Sequence, residues 1–218
     1  MSWLLDFSDP SARDVRTTGG KGSSLARLFQ EGFPVPNGLV VTAEADRAFR
    51  DGDMHLASAL AKLDFARPDV LRRQCEEIRE ELRGRLLPPS LSQELSRRLP
   101  PMLSLGPVAV RSSSTLEDLA GAAFAGQHDT FLNRASVESV LDAVRLCFAS
   151  LWEDRAVRYR HERGYGQEGA SMAVVVQSMV ASESAGVAFT VDPITGDPSR
   201  LLINSAWGLG ETVVSGEG

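Results

Sequence analysis

Two proline pairs, Pro88-Pro89 and Pro100-Pro101, with Gly106-Pro107 close behind, constrain this chain more than any other feature. Proline lacks an amide proton and its ring collides with the preceding turn, so helix interiors and central strands avoid it. The stretch from 88 to 107 is therefore expected to separate two lobes, 1–105 and 106–218. Periodicity changes across it. Upstream, an Arg/Glu-rich segment from about 55 to 98 carries Leu71, Cys75, Ile78 and Leu82 at three- and four-residue steps, the stripe of a scaffold helix. Downstream, Val108 to Val110, Met172 to Val176, Gly186 to Val191 and Leu201 to Asn204 read as short strands, the last three joined by turns that suit hairpins. Between them Val140, Leu141, Val144, Phe148 and Leu151 predict one long helix from Ser136 to about Arg163. The fold class is α+β.

Near the N-terminus the spacing of Leu25, Leu28 and Phe29 predicts a helix over 23–32, capped by Ser23 or Ser24 and ended by Gly32. Lys21 then sits just before a helix N-terminus. Turn chemistry over 33–38 leads into the apolar run Leu39 to Val41, and Thr42 is placed to cap another helix.

Over 218 residues, 43% hydrophobic and 24% charged side chains are ordinary for a globular chain with a substantial core. A net charge of -6 does not favour the clustered cations that hold nucleic acid, although an anionic small molecule can still be bound locally. Lys21 and Lys62 are the only lysines, and every other cation is an arginine. Cys75 and Cys147 lie far apart within helical apolar spacing, which suggests buried reduced thiols. No basic segment precedes an apolar run at the N-terminus and no apolar stretch spans a bilayer, so a cytoplasmic location without membrane association is expected.

Four constellations could carry chemistry. In Gly19-Gly20-Lys21-Gly22 the glycines let backbone N–H groups approach an anion, the helix start adds partial positive charge and Lys21 adds a formal one. The Walker A spacing is absent, and an ordinary flexible turn reads the same way. Arg111 leaves an apolar strand and runs into Ser112-Ser113-Ser114-Thr115, so its guanidinium could grip phosphate while the hydroxyls donate to phosphate oxygens. The small-residue stretch Ala120 to Gln127 could fold over a triphosphate, and a Ser-rich surface loop is the alternative. Gln177 and Met179 interrupt an apolar strand where a flat ring could be held, or where a core strand simply shows a surface Gln. Glycines flank Glu211, which would suit a ribose hydroxyl or a magnesium shell, or a plain turn. His55, His128 and His161 show no metal spacing.

In order and spacing, the stretches GGKGSSLARLFQEGFPVPNGLVVT, VAVRSSSTLEDLAGAAFAGQHDTFLN, LCFASLWEDRAVRYR, VVVQSMV, SAGVAFTVDPITG and WGLGETVVSG resemble the ATP-binding domain shared by phosphoenolpyruvate synthases, pyruvate phosphate dikinases, rifamycin phosphotransferases and related water dikinases. The resemblance spans nearly everything except roughly 50 to 105. It implies an ATP-grasp-like pair of lobes clasping ATP. Lys21 and Arg111 would bind the phosphates, with Gly126, Gln127 and Thr130 as a flexible cover, Gln177 and Met179 beside the adenine, and Glu211 near the ribose. It further implies passage of the β-phosphoryl group to a histidine on a mobile carrier domain, release of AMP, and onward transfer to pyruvate, water, an antibiotic or a glucan. Neither that histidine motif nor an acceptor-substrate domain is found here. The chain stops in the strand-like run Thr212 to Gly218, so the nucleotide lobe is expected to be incomplete, with Mg2+ ligands in a further C-terminal segment. A freestanding nucleotide-binding regulatory or interaction module is the competing expectation.

Overall fold

The computed structural model describes residues 2–116, 129–210 and 213. They fall into two compact units, Met1–Met179 and Val180–Gly218. In the first, β1 (Leu4–Asp6), a 3-10 turn (Pro10–Arg13), α1 (Val15–Gln30), β2 (Gly38–Val41), α2 (Ala43–Arg50), α3 (Met54–Ala61), α4 (Pro68–Arg83), α5 (Pro89–Leu103), β3 (Val108–Ser114), β4 (Thr130–Arg134), α6 (Val137–Ser150), α7 (Asp154–Glu162) and β5 (Met172–Ser178) follow one another. Five strands form one sheet in the order β1-β2-β5-β3-β4, antiparallel at each pairing.

Strand alternation divides the apolar side chains between two cores. Leu39, Val41, Val108, Val110, Val174 and Val176 face one cluster, which the helices complete through Leu71, Cys75, Ile78 and Leu82 of α4, Leu91, Leu95 and Leu99 of α5, and Val144, Cys147 and Phe148 of α6. Val40, Ala173 and Val175 face the other, smaller cluster with Ala26, Leu25 and Phe29 of α1. The expected scaffold stripe is thus a buried helix face, and both cysteines are buried free thiols.

Several expectations are corrected. Pro100 and Pro101 lie inside α5 rather than in a loop, because Leu91, Leu95 and Leu99 are buried along the same helix and the Ser104 N–H still reaches the Pro100 carbonyl at 3.0 Å. Packing overrides propensity there. The division at 105/106 does not coincide with the compact units, since β1 and β2 from one side share a sheet with β3, β4 and β5 from the other. The long helix is two, α6 and α7, broken around Trp152, which is fully buried with the guanidinium groups of Arg50 and Arg160 at 5.4 and 5.5 Å from its ring. Arg160 is itself buried, donating to the Leu151 carbonyl at 2.7 Å and to Gln167 Oε1 at 2.8 Å, and burial pulls its pKa down to about 10. Finally, β5 does not form a hairpin with the strand that follows it.

That strand, β6 (Ser184–Phe189), pairs antiparallel with β7 (Leu202–Trp207) in the second unit, Ser184 opposite Trp207 and Phe189 opposite Leu202. Their connection is held by Asp192, whose carboxylate accepts from the Ile194 and Thr195 N–H groups at 2.8 and 3.1 Å. The strand-like run expected over 212–218 lies outside the described residues, apart from residue 213. Among the described residues no helix is long and apolar enough to cross a membrane.

One buried ion pair ties α2 to the start of β5. Asp46 is fully buried; it accepts from Arg50 at 2.8 and 3.2 Å and from the Met172 N–H at 3.0 Å, while Arg50 also donates to the Ala170 carbonyl at 3.0 Å. Burial pushes the Asp46 carboxyl up, against the pull of Arg50, the Met172 N–H and Arg47. Asp46→Ala strands Arg50 and that amide without their acceptor and is expected to cost about 3 kcal/mol, read from urea unfolding. Burial likewise pushes the Cys75 thiol to about 12 and the Cys147 thiol well up. At pH 8 both thiols stay protonated and shielded, so iodoacetamide is expected to label them only after denaturation, as mass spectrometry would report.

Candidate functional site

The site begins with a glycine that the helix cannot accommodate in regular form. Gly19 has φ 68° and ψ 177° inside α1, so the helix consists of a short turn over 15–18 and a restart over 20–30. A Cβ on Gly19 would lie 2.1 Å from the Ser113 carbonyl oxygen and 2.4 Å from its hydroxyl. Only glycine permits both that left-handed φ and that approach to β3.

Ser113 uses the approach. Its hydroxyl donates to the Thr18 carbonyl at 2.8 Å and accepts from the Gly22 N–H at 3.0 Å. In an unbroken helix the Gly22 N–H would bond the Thr18 carbonyl directly, four residues back. The serine hydroxyl stands in that gap and joins the two ends across the kink. Relative to the restarted helix, Gly22 is the third residue, and its N–H is the donor that a cap side chain ordinarily satisfies. Lys21 is therefore in the first turn of the restarted helix, not ahead of a helix starting at 23, and Ser23 and Ser24 are helical residues rather than caps.

The neighbouring hydroxyls also serve the backbone. Ser112 donates to the Asp129 carbonyl at 2.9 Å and Thr115 to the Ser171 carbonyl at 3.1 Å, while Ser114 accepts from the Leu116 N–H at 3.2 Å. Ser112, Ser113 and Ser114 are buried strand residues. The segment is not a surface loop, and the protons of Ser112, Ser113 and Thr115 are committed to carbonyl groups. The expectation that this run of hydroxyls donates to phosphate is corrected accordingly.

Arg111 lies within β3, half-buried, opposite Thr130 of β4 and Val175 of β5. Directly opposed residues of antiparallel strands share a face, and Val175 packs toward α1. Gln177, opposite Ala109, belongs to that face too. The register thus brings Arg111, Thr130 and Gln177 to the side of the sheet covered by α1, the helix that carries Lys21. Among the described residues no carboxylate forms an ion pair with Arg111.

Gln177 is 8% exposed and donates its amide to the Pro36 carbonyl at 3.1 Å, so it is not a surface side chain. Met179, half-buried beyond the end of β5, takes the Asn133 N–H on its sulfur at 3.1 Å and donates its own N–H to the Pro107 carbonyl at 3.1 Å. Gly126, Gln127 and Glu211 lie outside the described residues. Among the described residues no group of three or more His, Cys, Asp or Glu could hold a metal ion. His161 stacks on Phe65 with ring centroids 3.6 Å apart, and His55 shares a 2.9 Å hydrogen bond with Glu81; His128 is outside the described residues.

The residue that sequence reasoning misassigned is Ser113. A paired glycine before a lysine announces a close backbone approach, but the partner is 91 residues away and nothing local names it. Gly19→Ala adds a left-handed strain and a clash with backbone, and is expected to destabilise the fold by at least about 2 kcal/mol in urea unfolding.

Comparison with known proteins bears on the family of the chain. The family described as pyruvate phosphate dikinase, AMP/ATP-binding domain, matches residues 15–218. The chain is 43% identical to the probable phosphoenolpyruvate synthase of Methanothermobacter thermautotrophicus, covering 99% of this chain and 33% of that protein. It is 40% identical to the phosphoenolpyruvate synthase of Aeropyrum pernix, with 98% and 27% covered, and 35% identical to that of Pyrococcus furiosus, with 96% and 31% covered. The chain spans a third or less of the length of these relatives. With the family pattern running from the first turn of α1 to the last residue, the chain belongs to the pyruvate phosphate dikinase AMP/ATP-binding domain family.

Proposed function

We propose that this chain is an ATP-grasp-like nucleotide lobe that holds Mg-ATP by its phosphates through Lys21 and Arg111. Within a longer protein of the kind its relatives represent, the β-phosphoryl group passes to a histidine on a carrier domain and AMP is released. The observation that carries the reading is the Ser113 bridge, which links the glycine-lysine turn to the strand bearing Arg111. Two cations from segments 90 residues apart in sequence, on the same side of one sheet, make an arrangement suited to a polyanion.

Lys21, in the first turn of a helix, adds its ammonium to the partial positive charge of that terminus. Arg111 offers a planar fork to phosphate oxygens, and Thr130, exposed and opposite it, is within the same patch. Their work in phosphoryl transfer is electrostatic: holding the chain of phosphates in line and offsetting charge as the β-phosphoryl group moves. Gln177 and Met179 would line the adenine end, and Gly126, Gln127 and Glu211 would complete the cover and the ribose contact. Mg2+ would arrive on the nucleotide and neutralise phosphate charge, with its protein ligands outside the described residues. A cytoplasmic setting, where ATP is supplied, fits this reading.

Calorimetric titration of Mg-ATP into the wild-type chain is expected to give saturable binding. Lys21→Ala and Arg111→Ala, each folded by circular dichroism, are each expected to weaken it about tenfold or more, the loss of a charge-assisted contact. Unchanged affinity in both variants would remove these residues from the site.

A further inference from the structure

We infer that Ser113 is a positioning residue of the nucleotide site: from β3 it caps the restarted helix of α1 and so sets the place of Lys21 relative to Arg111. The inference rests on the proposed role of Lys21 in binding phosphate. Ser113 is fully buried and its hydroxyl has both a donor and an acceptor partner in the chain, so it is placed to act through Lys21 and not on ATP itself.

The geometry makes the coupling specific. Gly19 interrupts the helix, and the restart at 20 needs an acceptor for the N–H of its third residue. Helices usually find that acceptor on the residue just before the first turn, but glycine has no side chain to offer. Here the acceptor comes from a strand 91 residues further on, and the same oxygen donates back to the Thr18 carbonyl on the far side of the kink. Arg111 is two residues before Ser113 on that strand, hence on the same face. One hydroxyl therefore links the first turn that carries Lys21 to the strand segment that carries Arg111. Two cations that must meet one chain of phosphates gain from being held in a set relation before the ligand arrives, since ordering them on binding would cost affinity.

Ser112 and Thr115 make comparable bonds from the same segment, yet theirs go to the Asp129 and Ser171 carbonyls and not to the backbone of α1. Thr115→Val thus removes a hydrogen bond from this segment without touching the cap, and serves as a control for general loosening.

The test is a double-mutant cycle by calorimetry with Mg-ATP, on wild type, Lys21→Ala, Ser113→Ala and the double variant, together with amide hydrogen exchange over 20–23. Ser113→Ala is expected to weaken ATP about tenfold, to shrink the penalty of Lys21→Ala in its background severalfold, and to speed exchange at Gly22. Thr115→Val is expected to keep affinity within about twofold and leave exchange at Gly22 unchanged. Additive penalties for Ser113 and Lys21, or unaltered exchange at Gly22 in Ser113→Ala, would overturn the inference. Should Ser113→Ala not fold, Ser113→Cys, with a weaker donor and acceptor of similar size, is expected to give the same changes at smaller amplitude, and their absence would overturn it equally. A folded wild-type chain that binds no ATP sinks the nucleotide reading and with it the purpose assigned to the cap, while faster exchange at Gly22 in Ser113→Ala would still establish the cap as structure.

Discussion

Everything in the first unit depends on the pairing of β3 with β5, which runs in unbroken register from Val108 opposite Ser178 to Ser114 opposite Met172. Strands in the middle of a sheet are buried on both faces, so each must satisfy two cores at once. Val174 and Val176 feed the helical cluster, while Ala173 and Val175 feed the smaller one beneath α1. A slip of one residue would exchange the two sets and carry Arg111 into the helical core. The position of that cation is thus a consequence of sheet register.

Against this frame α1 is held by shape as well as by apolar contact. Gly19 allows the chain to come within reach of β3, and the Ser113 hydroxyl converts the approach into two hydrogen bonds. The Asp46–Arg50 pair does comparable work at the start of β5, where it holds the Met172 N–H and the Ala170 carbonyl. In both places a polar group removed from water is matched with backbone, which is what makes its burial tolerable. The serine-rich segment illustrates how composition misleads: a run of hydroxyls reads as a ligand surface, whereas here it is the stitching of a strand to its surroundings.

Local pattern was a good guide wherever a single face decided the structure. The stripe Leu71, Cys75, Ile78 and Leu82 is a buried helix face, and the apolar runs at 39–41, 108–110 and 172–176 are strands. It was a poor guide where distant partners decided. Pro100 and Pro101 sit in a helix because Leu91, Leu95 and Leu99 anchor it, and where α6 gives way to α7 Trp152 is buried with Arg50 and Arg160 over its ring. Hairpin chemistry downstream of β5 suggested pairing with the next strand, but β5 is already flanked on both edges by β2 and β3. Of the candidate site, Lys21, Arg111, Thr130 and Gln177 were legible as residues, and their common side of the sheet was not.

The sequence by itself determined the α+β class, the buried thiols, the order of motifs that marks the ATP-binding family, and the cations suited to phosphate, because each of these follows from residue type and short-range spacing. Only the tertiary structure decided that one sheet unites strands from both sides of the proline-rich stretch, that the kink at Gly19 puts Lys21 in the first turn of a restarted helix, and that Ser113 is the bridge. The physical reason is range. Periodicity and propensity act over a turn or a strand, whereas register, close backbone approach and the satisfaction of a buried hydroxyl are settled by groups about a hundred residues apart that meet only when the chain is folded.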